Sequence, residues 1–259
     1  MSSERFRLIS IVASVLIVTY LSPSFALHNG KKIEIKEAPW TVGIFTITTF
    51  CGGSILSQDF VLTAASCVDG QPIEDILIQY GSSNLYTERE NFAWADKSLE
   101  NNIAVIKTNT SMKFDQEKSK SIDLPRVEYE PEKDSTVSVS GYGDVDAKAI
   151  EEKLTETSKY DLKAANFTVE DRSDCNKTYP DKYTGYETFC AKGCGDVYVE
   201  QGDKGDPAVQ KNETDQNVLA GFVSYADITE RKPLTIFIKV GSYVTWIMEI
   251  IKKNQKSGS

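Results

Sequence analysis

The 259-residue sequence contains one histidine, His28, and it lies outside every motif described below. That scarcity excludes catalysis by a histidine base unless His28 itself reaches a nucleophile. Long lysine or arginine runs are also missing. With a net charge of -9 and a pI near 4.9, the chain lacks the basic stripe that phosphate neutralisation requires, so a nucleic-acid role is not expected. Internal repeats and low-complexity linkers are absent, and 40% hydrophobic residues argue against a disordered chain.

The one long apolar run is "LISIVASVLIVTYL" near the start. Arg5 and Arg7 precede it, and "SPSFA" follows with small residues at Ser24 and Ala26. A membrane anchor is the alternative reading. The run is short for a bilayer span and ends in a cleavage pattern, so residues 1–26 read as a secretory signal peptide. Export makes the five cysteines candidates for disulfides, with one left over. It also gives meaning to four Asn-x-Ser/Thr sequons, at Asn109, Asn166, Asn176 and Asn212, as candidate N-glycosylation sites on the surface.

The remaining pattern is β-rich. "WTVGIFTI", "SILSQDFVLTAA", "DILIQYG", "NIAVIK", "STVSVSGYG", "VLAGFVSYA" and "LTIFIKV" recur between turn residues, which predicts an all-β sandwich or barrel. Val244, Ile247, Met248 and Ile251 fall at helical spacing and predict one helix at the end. Gly202 to Pro207 read "GDKGDP", a Gly-Asp-x-Gly-x-Pro pattern with Lys204 at its variable centre.

Three segments, "CGGSILSQDFVLTAASCV", "NNIAVIK" and "GDKGDPAV", occur in the order and approximate spacing of the trypsin/chymotrypsin-like serine proteases. "PWTVGI" and "YVTWI" match as well, so the chain resembles that family over residues 27–259. The resemblance implies two six-stranded antiparallel β-barrels, approximately 27–125 and 126–259, with a cleft between them and a C-terminal helix. It also implies where a Ser-His-Asp triad would stand. The histidine position is Ser66 in "TAASC", the aspartate position is Asn102 in "NNIAV", and the serine position is Lys204. All three are replaced, so no proteolysis is expected. A Ser66–Lys204 dyad is the remote alternative; Asp203 and Asp206 flank the lysine in sequence and are expected to favour its charged form.

Other positions follow from the same resemblance. Tyr198, Ala226 and Thr235 fall where the specificity pocket is lined, and their side chains are expected to occlude it. Cys51 pairs with Cys67 and Cys175 with Cys190, which leaves Cys194 as the odd thiol, expected to be buried or shielded. Leu27 stands where a processed N-terminus pairs with the aspartate before the serine position, here Asp203. Within the family, the sequence resembles mite digestive trypsins, the group 3 allergens. With its triad lost, it resembles the scabies mite inactivated serine protease paralogues. That resemblance implies a secreted, monomeric protein that binds host complement proteins and inhibits their cascade, without cofactor or metal. A decoy for protease inhibitors or substrates is the alternative.

Overall fold

The computed structural model describes residues 27–86, 92–143, 145, 157, 160–183, 185–229 and 233–255, with 92–100 as backbone. The signal-peptide reading of residues 1–26 falls outside them. Thirteen strands and three helices are described: β1 (Lys31–Lys32), β2 (Thr41–Phe45), β3 (Phe50–Ser57), β4 (Phe60–Ala64), α1 (Ala65–Val68), β5 (Leu77–Tyr80), β6 (Phe92–Glu100) and β7 (Ile103–Thr108) in the first half. The second half holds β8 (Thr136–Gly141), β9 (Lys163–Val169), α2 (Arg172–Thr178), β10 (Thr188–Gly193), β11 (Pro207–Lys211), β12 (Asn217–Ala226), β13 (Leu234–Lys239) and α3 (Val244–Gln255).

Strands β2-β3-β4-β7-β6-β5 close into an antiparallel barrel. All five residues of β2 and all five of β4 are buried, so the alternation of a half-exposed strand is lost there. Closure explains it: side chains facing inward fill the barrel, and those facing outward are covered by the rest of the chain. The second sheet runs β1-β9-β10-β13-β12-β11-β8, and β8 also pairs with β9, which brings the sheet round on itself. It has seven strands rather than the six expected, because Lys31 and Lys32 pair with Ala164 and Lys163 of β9.

The two sheets meet at a turn. Asp206 N–H donates to Asp203 C=O at 3.1 Å, and Gly205 stands inside the turn at φ +83°. Gly52 N–H of β3 donates to Lys204 C=O at 2.7 Å, and Gly205 N–H donates to Val223 C=O of β12 at 2.8 Å. One turn is thus hydrogen-bonded to both sheets at once. Helix α3 follows β13 and buries Ile247 completely, with Trp246, Ile250 and Ile251 against the same core. Met248, expected on that apolar face, is 53% exposed. It lies one residue beyond the buried stripe, and about 100° per residue turns it to solvent.

The pattern retained around Lys204 has a steric cause. A Cβ on Gly205 would lie 2.2 Å from Gly52 O, in addition to the strain of positive φ. Gly70 has a similar φ of +71° but nothing within 4 Å of its Cβ position. Gly205→Ala is therefore expected to destabilise the fold by about 3 kcal/mol or more, and Gly70→Ala by about 1–2 kcal/mol. Urea unfolding of both variants measures the difference, and equal effects would refute the steric account.

Candidate functional site

The turn between β6 and β7 builds one wall of the site. Its central residues, Asn101 and Asn102, have φ of +35° and +61°, the positive-φ pair of a mirror-image hairpin turn that asparagine tolerates. Asn102 C=O accepts from Ala65 N–H at 3.1 Å, and its side-chain Oδ1 accepts from Ser66 N–H at 2.9 Å. Asn102 Nδ2 in turn donates to Ser224 Oγ at 2.8 Å, across to the second sheet. Ser224 reaches it because β12 bulges there: Val223 pairs with Phe237 and Tyr225 with Ile236, leaving Ser224 as the extra residue.

A carboxylate at Asn102 would accept from both neighbours and leave a charge at the joint with no imidazolium to balance it. The amide makes the same two links neutrally, as acceptor toward α1 and donor toward β12. Ser66 and Lys204 are both exposed and, with Asn102, Ser224 and Tyr225, they line one cavity of about 320 Å³. The three residues expected at the triad positions, Ser66, Asn102 and Lys204, are thus brought to a single cleft.

Lys204 and Tyr225 also line a second cavity, of about 280 Å³, with Gly202, Val199, Ala226 and Ile228. Of the three residues expected to occlude the pocket, Ala226 borders this cavity. Thr235 is buried and pairs in register with Ala226. Tyr198 is placed elsewhere: its ring stacks on His28 with centroids 4.2 Å apart at 14°. His28 N–H donates to Tyr198 C=O at 2.8 Å, and His28 Nδ1 lies 3.6 Å from Glu200 Oε1. The single histidine is therefore held by Tyr198 and Glu200 on a cavity that contains neither Ser66 nor Lys204. The largest cavity described, about 530 Å³ against Tyr129 and Gln210, contains none of these residues.

Leu27 is fully buried and its N–H donates to Asp203 Oδ2 at 3.2 Å; Glu200 N–H donates to the same oxygen at 2.6 Å. Cys51–Cys67 and Cys175–Cys190 are bonded. Cys194 is exposed, its Sγ 3.5 Å from Thr168 Oγ1, which corrects the expectation of a buried or shielded thiol. It stands just past the end of β10, on the same alternate face as the exposed Lys192. Asp203 and Asp206 flank Lys204 in sequence but do not share its surroundings. Both carboxyls are fully buried on the inner side of the turn while Lys204 points to solvent. Of the sequons, Asn109, Asn166 and Asn176 are exposed and Asn212 is partly exposed. Sequence reasoning missed the bulge at Ser224 and the inward carboxyl of Asp206; neither has a local signature.

Comparison with known proteins accords with this geometry. The family model described as Trypsin matches residues 27–247. Trypsin Blo t 3 of Blomia tropicalis is 27% identical over 233 residues, covering 85% of this chain and 84% of that protein. Trypsin Tyr p 3.0101 of Tyrophagus putrescentiae is 27% identical over 234 residues, covering 85% and 78%. The crystal structure of scabies mite inactivated protease paralogue S-I1 superposes with a TM-score of 0.75 at 39% identity, covering 86% of this chain and 99% of that one. Paralogue S-D1 gives 0.74 at 40% identity, covering 86% and 96%.

Asn102→Gly keeps the backbone conformation and removes the amide that joins Ser66 to Ser224. Losing those bonds at a partly buried joint is expected to cost about 1–3 kcal/mol. Urea unfolding checks this, and a loss below about 0.5 kcal/mol would show that the joint holds without them.

Proposed function

The chain belongs to the trypsin family, and on that footing we propose that it is a secreted, proteolytically inactive member that acts by binding host proteins and so inhibits the complement cascade. One observation carries the reading: Ser66, Asn102 and Lys204, which stand where the family resemblance puts the base, the orienting acid and the nucleophile, meet in one cleft. Acyl transfer by the family's route needs a base that takes the nucleophile's proton. The one carboxylate lining the cleft, Glu187, accepts from Asn101 Nδ2 at 3.2 Å, and the one histidine is engaged by Tyr198 and Glu200. A Ser66–Lys204 dyad would need the lysine stripped of water, and Lys204 is exposed.

Binding needs less than catalysis does. A typical interface takes about 800 Å² per partner, which one face of a domain this size supplies. The two disulfides fit export, and the similar structures named as inactivated paralogues support loss of proteolysis. A second reading, a decoy for protease inhibitors, draws on the cavity beside Lys204 and Ala226, which Tyr198 does not fill.

Purified protein added to human serum is expected to reduce complement deposition on activating surfaces while cleaving no member of a broad peptide-substrate panel. Lys204→Ala should leave both results unchanged. Normal deposition would overturn the complement reading, and binding of a protease inhibitor would then favour the decoy. Peptide cleavage that disappears in Lys204→Ala would establish the dyad instead.

A further inference from the structure

All four Asn-x-Ser/Thr sequons lie among the described residues, and they differ in what the hydroxyl of the third residue bonds. After Asn109, the Ser111 hydroxyl donates to Asp59 Oδ1. After Asn166, Thr168 Oγ1 lies 3.5 Å from Cys194 Sγ. After Asn176, Thr178 Oγ1 donates to Asp174 C=O at 2.8 Å, back along α2. At the fourth sequon the hydroxyl returns to its own asparagine. Thr214 Oγ1 donates to Asn212 Oδ1 at 2.8 Å, nearer than Gln216 Oε1 at 3.2 Å.

Asn212 belongs to the turn that joins β11 to β12. Its Oδ1 also accepts from Thr214 N–H at 3.0 Å and Gln216 N–H at 2.9 Å, which makes an Asx turn. Asp215 sits inside that turn at φ +62°, and its N–H donates to Asn212 C=O at 3.0 Å. Three donors on Oδ1 draw electron density to the oxygen and polarise the amide, while no described residue accepts from Nδ2. These bonds are local, so the turn forms in the emerging chain without help from the sheets. The Ser111 and Thr168 contacts span 52 and 26 residues and need the finished fold. In α2 the local bond takes the hydroxyl away from its asparagine. Exposure alone ranks the sites the other way, because the oxygen end of Asn212 is covered by its own turn.

We propose that Asn212 is the asparagine of this chain that carries an N-linked glycan, and that the sugar lies over the adjoining cavity of about 530 Å³. In the transfer, Asn212 Nδ2 bonds to the anomeric carbon of a lipid diphosphate-linked oligosaccharide. The carbon–oxygen bond to the diphosphate breaks, the lipid diphosphate leaves with the electron pair, and the amide gives up one proton to the transferase. Asn212, Glu213 and Thr214 line the cavity together with Arg126, Tyr129 and Gln210, so the first sugar is attached at its rim. That cavity shares no lining residue with the cleft of Ser66, Asn102 and Lys204. A glycan at Asn212 thus closes one face to protein partners and leaves the cleft open. Glycosylation here requires export, as proposed above, but no particular partner.

Peptide mass mapping of the protein secreted by insect cells is expected to find Asn212 occupied and the other three sequons largely bare. Asn212 found bare, or occupied no more than the others, would overturn the proposal. Expression behind residues 1–26 and, separately, behind a foreign cleaved leader keeps two failures apart. Sugar missing from the first product alone refutes export by the chain's own leader; sugar missing from Asn212 in both refutes the site. Gln216→Pro leaves the sequon intact but removes a donor to Oδ1 and forces Asp215 out of positive φ. It is expected to lose most of the glycan, and unchanged occupancy would refute selection by the turn. Oxidation of Tyr129 by hydroxyl radicals should be slower with the glycan in place than after its enzymatic removal. Equal rates would refute coverage of the cavity.

Discussion

The architecture depends on a single turn being hydrogen-bonded to two sheets at once. Residues 203–206 accept from Gly52 on one side and are tied to Val223 on the other, so the backbone at Lys204 is structural whatever its side chain does. A side chain at that turn position can change from a nucleophile to an ammonium without disturbing the fold. Its neighbour Gly205 cannot gain even a methyl group, because Gly52 O occupies the space. Chemistry and architecture share the segment but rest on different atoms.

The same separation is visible at Asn102. An acid there serves catalysis by stabilising a positive imidazole, but the position also fastens α1 to the bulge of β12. Without the imidazole only the fastening remains, and a neutral amide with one donor and one acceptor end meets it. The amide thus matches both neighbours, accepting from Ser66 N–H and donating to Ser224 Oγ.

Much of this is legible in the sequence. Runs such as "WTVGIFTI" and "NIAVIK" announced strands because branched and aromatic residues clustered between turn formers, and the helical spacing of Val244, Ile247 and Ile251 held in α3. β9, "KAANFTV", and β10, "TFCAKG", were missed. Small and polar residues interrupt both, and their strand character comes from pairing with distant segments. Resemblance located the residues of the cleft, whereas composition and spacing could not. Which way a side chain turns was the least legible property. Tyr198 was expected toward the pocket and instead stacks on His28, a choice set by a contact 170 residues away in sequence. Asp206 was read as a neighbour of Lys204 because adjacency in sequence does not reveal that the tight turn buries Asp203 and Asp206 while leaving Lys204 exposed.

The burial of Leu27 has a practical consequence for handling the molecule. Its backbone nitrogen is engaged by a buried carboxyl, so any fused partner preceding it must thread outward from a place with no exposed surface. The last turn of α3, by contrast, presents Lys252, Lys253 and Gln255 to water. Reporter proteins, affinity handles and surface-attachment chemistry belong at that end, where they can be carried without crowding the seat that holds Leu27.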